Sequence, residues 1–149
     1  MLMCIPAKAG LVNIASVLAW MGADLESRTD LGDTPLITAS RCNHTDVIQL
    51  LCDWHADVNA RNYKATTALH FAVENNNVSS VKIFLKHNAE LYRNYEGKTP
   101  LDKAEDLNLS EIVCLLENCI QKESQEWATV STCKESIQKN PAEQGWLVY

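Results

Sequence analysis

The sequence lacks a surplus of basic residues. Thirteen Lys and Arg stand against nineteen Asp and Glu, for a formal net charge of −6. That balance excludes the basic footprint of a nucleic-acid binder. It suits a soluble protein, or one that meets a basic partner. No run approaches the roughly 20 apolar residues of a membrane-spanning helix, so no membrane insertion is expected. The six cysteines are Cys4, Cys42, Cys52, Cys114, Cys119 and Cys133, and none forms a C-x-x-C pair. Without paired spacings they do not match a zinc site. Reduced, mostly buried thiols in a cytoplasmic or nuclear protein are expected instead. A converging set of acid, base and nucleophile is also missing, which argues against an enzyme.

What is present begins with a helix. In "LVNIASVLAWMGA", Leu11, Ile14, Val17, Leu18 and Met21 recur at helical spacing, with Asn13 and Ser16 between them. This is the pattern of an amphipathic helix rather than of a signal-peptide core. Three N-x-S/T triplets, at Asn43, Asn77 and Asn108, would matter only in a secreted chain.

The chain then repeats itself. "GAD" at Gly22–Asp24 is followed by "HAD" at His55–Asp57 and "NAE" at Asn88–Glu90, each step 33 residues. Thr34-Pro35-Leu36 recurs as Thr67-Ala68-Leu69 and as Thr99-Pro100-Leu101. Ile14, Val47, Ser80 and Ile112 form a third series; Val17, Leu50, Ile83 and Leu115 form a fourth. Several independent series at one period mark a repeat architecture.

Each unit has a physical rationale. Thr34 can cap a helix that starts at Pro35, where a missing N–H costs nothing. Leu36 and Ala39 give that helix an apolar face. Gly10, Asn43, Asn76 and Asn108 end the first helices, and Gly and Asn tolerate the left-handed position after a helix. A second helix follows, with Val47, Ile48, Leu50 and Leu51 expected to face inward. Two such short helices cannot bury their faces alone, so neighbours must stack.

A 33-residue period built on T-P-L, on "TALHFA" at 67–72 and on "ADVNA" at 56–60 resembles the ankyrin repeat family. The resemblance covers residues 2–119 and implies an all-α solenoid of stacked helix pairs with hairpin-like loops. It divides the chain into a truncated first repeat (1–23), repeats at 24–56 and 57–89, a capping repeat (90–119) and a flexible or partly helical tail (120–149). Met3 and Cys4 then take the leucine and histidine positions of T-P-L-H. Beginning inside a repeat suggests a fragment or isoform of a larger multidomain protein. Glu117, where earlier units carry Ala19, Cys52 and Leu85, fits the capping role.

His70 sits three residues after Thr67, within reach across one helical turn. The resemblance implies a structural lock of the loop, and nothing nearby would activate the ring as a base or nucleophile. His44, His55 and His87 lie near helix ends and are expected to cap or face solvent. Repeat two departs from the pattern. Ala65 replaces the glycine of Gly32 and Gly97, which costs about 1–2 kcal/mol if the turn needs positive φ. Ala68 replaces the helix-starting proline, at about 0.4–1 kcal/mol.

The resemblance implies a non-catalytic module that binds a protein partner, as adaptor or scaffold, through hairpin tips and the exposed face of each first helix. In repeat one the positions are Arg28, Asp30, Leu31, Asp33 and Arg41, with Cys42 beside them. In repeat two they are Arg61, Tyr63, Lys64, Thr66 and Glu74, with Asn75. In repeat three they are Tyr95, Glu96 and Lys98, with Asp106 and Leu107. Tyrosine and arginine are enriched in binding hot spots; Arg28, Leu31, Arg61, Tyr63 and Tyr95 are the best contact candidates. In "LLCDWHADVNA" Leu51 stands eight residues before Asn59, and Asp57 two before it. This resembles the site of asparaginyl hydroxylation in ankyrin repeats, beside the plainer role of bracing a loop. A monomer without cofactor or metal is expected, in cytoplasm or nucleus.

Overall fold

A computed structural model describes residues 3–9 and 11–122. Gly10, Cys133, the side chains of Ile14 and Ser16, and the expected tail beyond residue 122 lie outside the described residues. The chain divides into two units, Met1–Leu115 and Leu116–Tyr149. The described part of the second is the end of a helix.

The first unit is built from short helices in pairs. They are α1 (Cys4–Ala9), α2 (Val12–Trp20), α3 (Pro35–Arg41), α4 (Thr45–Asp53), α5 (Ala68–Glu74), α6 (Val78–Lys86) and α7 (Pro100–Asp106). A last helix, α8, spans 110–122. The first helices stack as one layer, α1 on α3 on α5 on α7; the second helices stack as another, α2 on α4 on α6. No strand occurs among the described residues. No described helix is long and apolar enough to cross a membrane.

The starts and stops follow from the sequence. Thr34 is extended and its Oγ1 accepts the Ile37 N–H (3.3 Å), with Pro35 opening α3. Thr99 does the same for Asp102 N–H (3.1 Å), and Asp102 accepts Thr99 N–H in return (2.8 Å). Such reciprocal bonds satisfy donors that the helix cannot. After the first helices the chain turns left-handed at Asn43, Asn76 and Asn108. After the second helices it does so at Gly22, His55 and Asn88, and in the hairpins at Gly32, Ala65 and Gly97. Ala65 holds φ 55°, so the strain expected of it is present.

The core runs between the layers. Met3, Leu36 and Leu69 are buried in register, as are Val47, Ser80 and Ile112. Ser80 is accommodated because its hydroxyl meets Thr45 Oγ1 at 3.3 Å. Three expectations need correction. The apolar series around α2 does not face the core: Leu11, Val17 and Met21 are exposed, and Ala15 and Ala19 are buried instead. Leu50 is only half-buried, because α4 turns a stripe of Val47, Ile48, Leu51 and Cys52 inward and Leu50 lies off that stripe. The thiols are not mostly buried: Cys4 and Cys52 are, Cys42 and Cys119 are intermediate, and Cys114 is exposed.

Candidate functional site

His70 is enclosed and fully used. Its Nδ1 accepts the Thr67 N–H (3.2 Å) and lies 2.9 Å from Thr67 Oγ1; its Nε2 lies 3.2 Å from the Lys98 carbonyl. A backbone N–H can only donate and a carbonyl can only accept. Nδ1 is therefore bare and Nε2 carries the proton. Burial lowers its pKa, while the bond to Lys98 opposes that shift. The ring ties the start of α5 to the next hairpin and has no nitrogen left for chemistry. His44 also links repeats, with Nε2 2.9 Å from the Lys8 carbonyl.

The hairpins are braced from within and across. Asn62 Oδ1 accepts from Lys64 and Thr66 N–H (both 3.0 Å), and Asn94 Oδ1 accepts from Glu96 (2.9 Å) and Lys98 (3.1 Å). Arg28 donates to the carbonyls of Gly32 (3.1 Å) and Arg61 (2.7 Å). One repeat later, Arg61 donates to Ala65 (3.4 Å) and Arg93 (3.1 Å) and lies 5.5 Å from the Tyr92 ring centroid. Asn59 belongs to the same bracing. It accepts the Glu90 N–H (2.8 Å), donates to Asn88 (3.3 Å) and takes its own N–H bond to Asp57 (2.9 Å).

Below the hairpin tips a groove of about 450 Å³ opens against the first helices. Nine of the positions selected from sequence line it. Asp30, Leu31, Tyr63, Lys64, Thr66, Tyr95 and Glu96 come from the hairpins, and Arg41 and Glu74 from α3 and α5. Leu31, Tyr63 and Tyr95 stand out at the tips, 56%, 75% and 66% exposed. The Tyr63 N–H donates to the Leu31 carbonyl (3.3 Å) and the Tyr95 N–H to the Lys64 carbonyl (3.1 Å), so neighbouring tips are bonded side by side.

Eight selected positions do not line this groove: Cys42, Asn75, Asp106 and Leu107, together with Arg28, Arg61, Asp33 and Lys98. Arg28 and Arg61 spend their guanidinium groups on backbone carbonyls. Asp33 is 1% exposed; it pairs with Arg41 and accepts from Asn62 (2.8 Å), so it supports the groove from beneath. Lys98 pairs with Asp106 at 2.5 Å beside a smaller adjoining depression.

Four lining residues were missed from sequence: Asn62, Asn94, Phe71 and Lys103. Phe71 and Lys103 lie three residues before Glu74 and Asp106, hence on the same helix face one turn back. That spacing was the available signal. Arg41 lies 5.0 Å from the Phe71 centroid, and Lys103 is bonded to Glu74. The phenol of Tyr95 donates to Glu96 (3.1 Å). That bond raises the phenol's pKa and lowers the carboxyl's. Among the described residues no cluster of three His, Cys, Asp or Glu could hold a metal.

Comparison with known proteins agrees with this geometry. The family described as ankyrin repeats (3 copies) matches residues 57–126, and the single ankyrin repeat matches residues 31–63. An ankyrin repeat protein of fowlpox virus is 35% identical, over 73% of this chain and 33% of its own length. Alpha-latrotoxin-Lg1a of Latrodectus geometricus is 32% identical, over 71% of this chain and 8% of its own. Neurogenic locus notch homolog protein 1 of Mus musculus is 39% identical, over 52% of this chain and 3% of its own. The chain thus spans a third or less of these relatives. With its period, capped helix pairs and matched residues together, this chain belongs to the ankyrin repeat family.

Proposed function

We propose that this chain is a non-catalytic adaptor or scaffold that holds a protein partner along its hairpin tips and the groove beneath them. Ankyrin repeats are protein–protein interaction modules, which makes the partner a protein. The observation that carries the tip reading is the row of Leu31, Tyr63 and Tyr95, exposed at successive tips above one groove. Large side chains fixed on a rigid scaffold are what binding hot spots consist of. A non-catalytic role is supported by how the reactive groups are spent. His70 is bonded at both nitrogens, and burial pushes the Cys52 thiol up to about 12, where it stays a neutral packing group.

The same reading has the chain acting as a monomer without a cofactor, in cytoplasm or nucleus, a setting that its free cysteines suit. Asn59 is kept as a candidate for hydroxylation, although its amide already braces the next loop. Intact-mass analysis of the protein from cells checks this, and an unmodified mass ends it. A second reading makes the chain one module of a longer protein; its small share of each relative's length favours that.

Proximity labelling in cells tests the tip reading. Wild type is compared with a Tyr63→Ala/Tyr95→Ala double variant, once circular dichroism shows both folded. A protein labelled by the wild type and lost in the variant is the expected result. Unchanged labelling would move the site away from the tips.

A further inference from the structure

Gly32, Ala65 and Gly97 hold one place in successive hairpins, each at positive φ. They differ in what covers them. Gly32 is buried and Gly97 is exposed. The cover on Gly32 is the Tyr63 ring. A Cβ on Gly32 would lie 2.7, 2.8 and 2.9 Å from Cδ1, Cγ and Cε1 of that ring. Near-equal distances to three consecutive carbons put this point over the ring's face rather than beyond its edge. A Cβ on Gly97 would meet nothing within 4 Å.

The seat is rigid. Arg28 ties the carbonyls of Gly32 (3.1 Å) and Arg61 (2.7 Å) together, and the Tyr63 N–H donates to the Leu31 carbonyl (3.3 Å). One side of the Tyr63 ring therefore rests on braced backbone, and the residue still leaves 75% of its surface open. Tyr95 has no such seat. It is the counterpart of Tyr63 one repeat on, and the residue in the matching place of Gly32 is Ala65. The methyl group of Ala65 fills the space that the Tyr63 ring uses over Gly32. Tyr95 is held instead through its hydroxyl, by exposed Glu96 (3.1 Å), a bond that water can replace. A ring whose orientation is already fixed loses less freedom on binding.

We infer that Gly32 is a positioning residue for partner binding: the space left by its missing side chain seats the Tyr63 ring, which makes Tyr63, not Tyr95, the anchor of the tip row. The inference rests on the proposed tip-binding function and adds to it the residue that orients the contact.

Two measurements on the full chain test it. In the NMR spectrum of the wild type, the Gly32 α-protons are expected to resonate upfield of those of Gly97, because they lie over the ring. Tyr63→Ala is expected to abolish that difference. The second measurement is the Kd for the partner recovered by proximity labelling. Gly32→Ala is expected to weaken binding at least about fivefold, and Gly97→Ala less than about twofold, as for an important and a neutral interface position. Both substitutions strain the backbone alike, at φ 76°, so only the ring contact separates them. In the Tyr63→Ala background Gly32→Ala is expected to have no further effect on binding. Tyr63→Ala alone is expected to cost more affinity than Tyr95→Ala alone. If Gly32→Ala does not fold, the wild-type resonances and the two tyrosine variants decide the matter. An unshifted Gly32 signal, equal losses from the two glycine variants, additive losses from Gly32→Ala and Tyr63→Ala, or a larger loss from Tyr95→Ala overturns the inference. If that happens while the Tyr63→Ala/Tyr95→Ala variant still loses its partner in cells, the inference alone has failed. If the double variant keeps the partner, the tip reading fails with it.

Discussion

His70 is neutral in the folded chain because the Lys98 carbonyl requires a proton on Nε2 and the Thr67 N–H excludes one from Nδ1. Burial is the leading cause of its lowered pKa. In the unfolded chain the ring returns to about 6.5. Below that pH the unfolded state binds the extra proton, so stability falls as pH drops through about 6.5 and is complete above it. Urea unfolding at pH 7.5 and 5.5 should show this loss, and a His70→Gln variant should flatten it. Replacing His70 with Ala at neutral pH should cost about 1–3 kcal/mol, because the Thr67 N–H and Lys98 carbonyl lose their partner. Ala65→Gly should stabilise the chain by up to about 1 kcal/mol in the same assay, since φ 55° strains an alanine.

At this scale the sequence told a histidine lock from a catalytic base, because Thr67 stands one turn away. It did not separate braces from contacts. Arg28 and Arg61 recur at one repeat's spacing, which suits a hot spot and a loop brace equally. The carbonyl oxygens that receive their guanidinium groups establish the brace. Asp33 was misplaced for a similar reason: nothing local shows that Arg41 and Asn62 fold over it.

The elements were largely legible. Threonine, then proline, then leucine marks the start of α3 and α7, and asparagine after α3, α5 and α7 supplies the left-handed turn. Burial along the second helices was harder to place. A nine-residue helix buries one narrow stripe, and sequence alone does not fix its edge. Leu50 fell outside it. α5 starts with Ala68, preceded by an extended Thr67 at φ −97° and ψ 168°. That backbone accommodates a following proline. Ala68→Pro, matching Pro35 and Pro100, should stabilise the chain by about 0.4–1 kcal/mol. A lower urea midpoint would show that the ring does not fit.

In the repeat stack as a whole, the proposed tip binding requires neighbouring hairpins to be held as one row. Arg61 reaches from its own turn to the next repeat's Arg93 carbonyl. Arg61→Ala should therefore speed amide exchange in residues 61–66 and 93–98 together. Exchange confined to 61–66 would show that Arg61 braces only its own hairpin. The row itself was only partly visible in the sequence. The period placed Tyr63 and Tyr95 at equivalent positions and helix spacing marks Phe71 and Lys103 for the exposed face, but their meeting in one groove emerges only when helices from different repeats are packed.

The most direct measurement is amide hydrogen exchange on the full chain, with and without the partner recovered by proximity labelling. The account predicts that the partner slows exchange in hairpin residues 28–33, 61–66 and 93–98, and leaves α4 and α6 unchanged. Protection confined to α4, α6 or the chain beyond residue 122, with the hairpins exchanging as before, would contradict it.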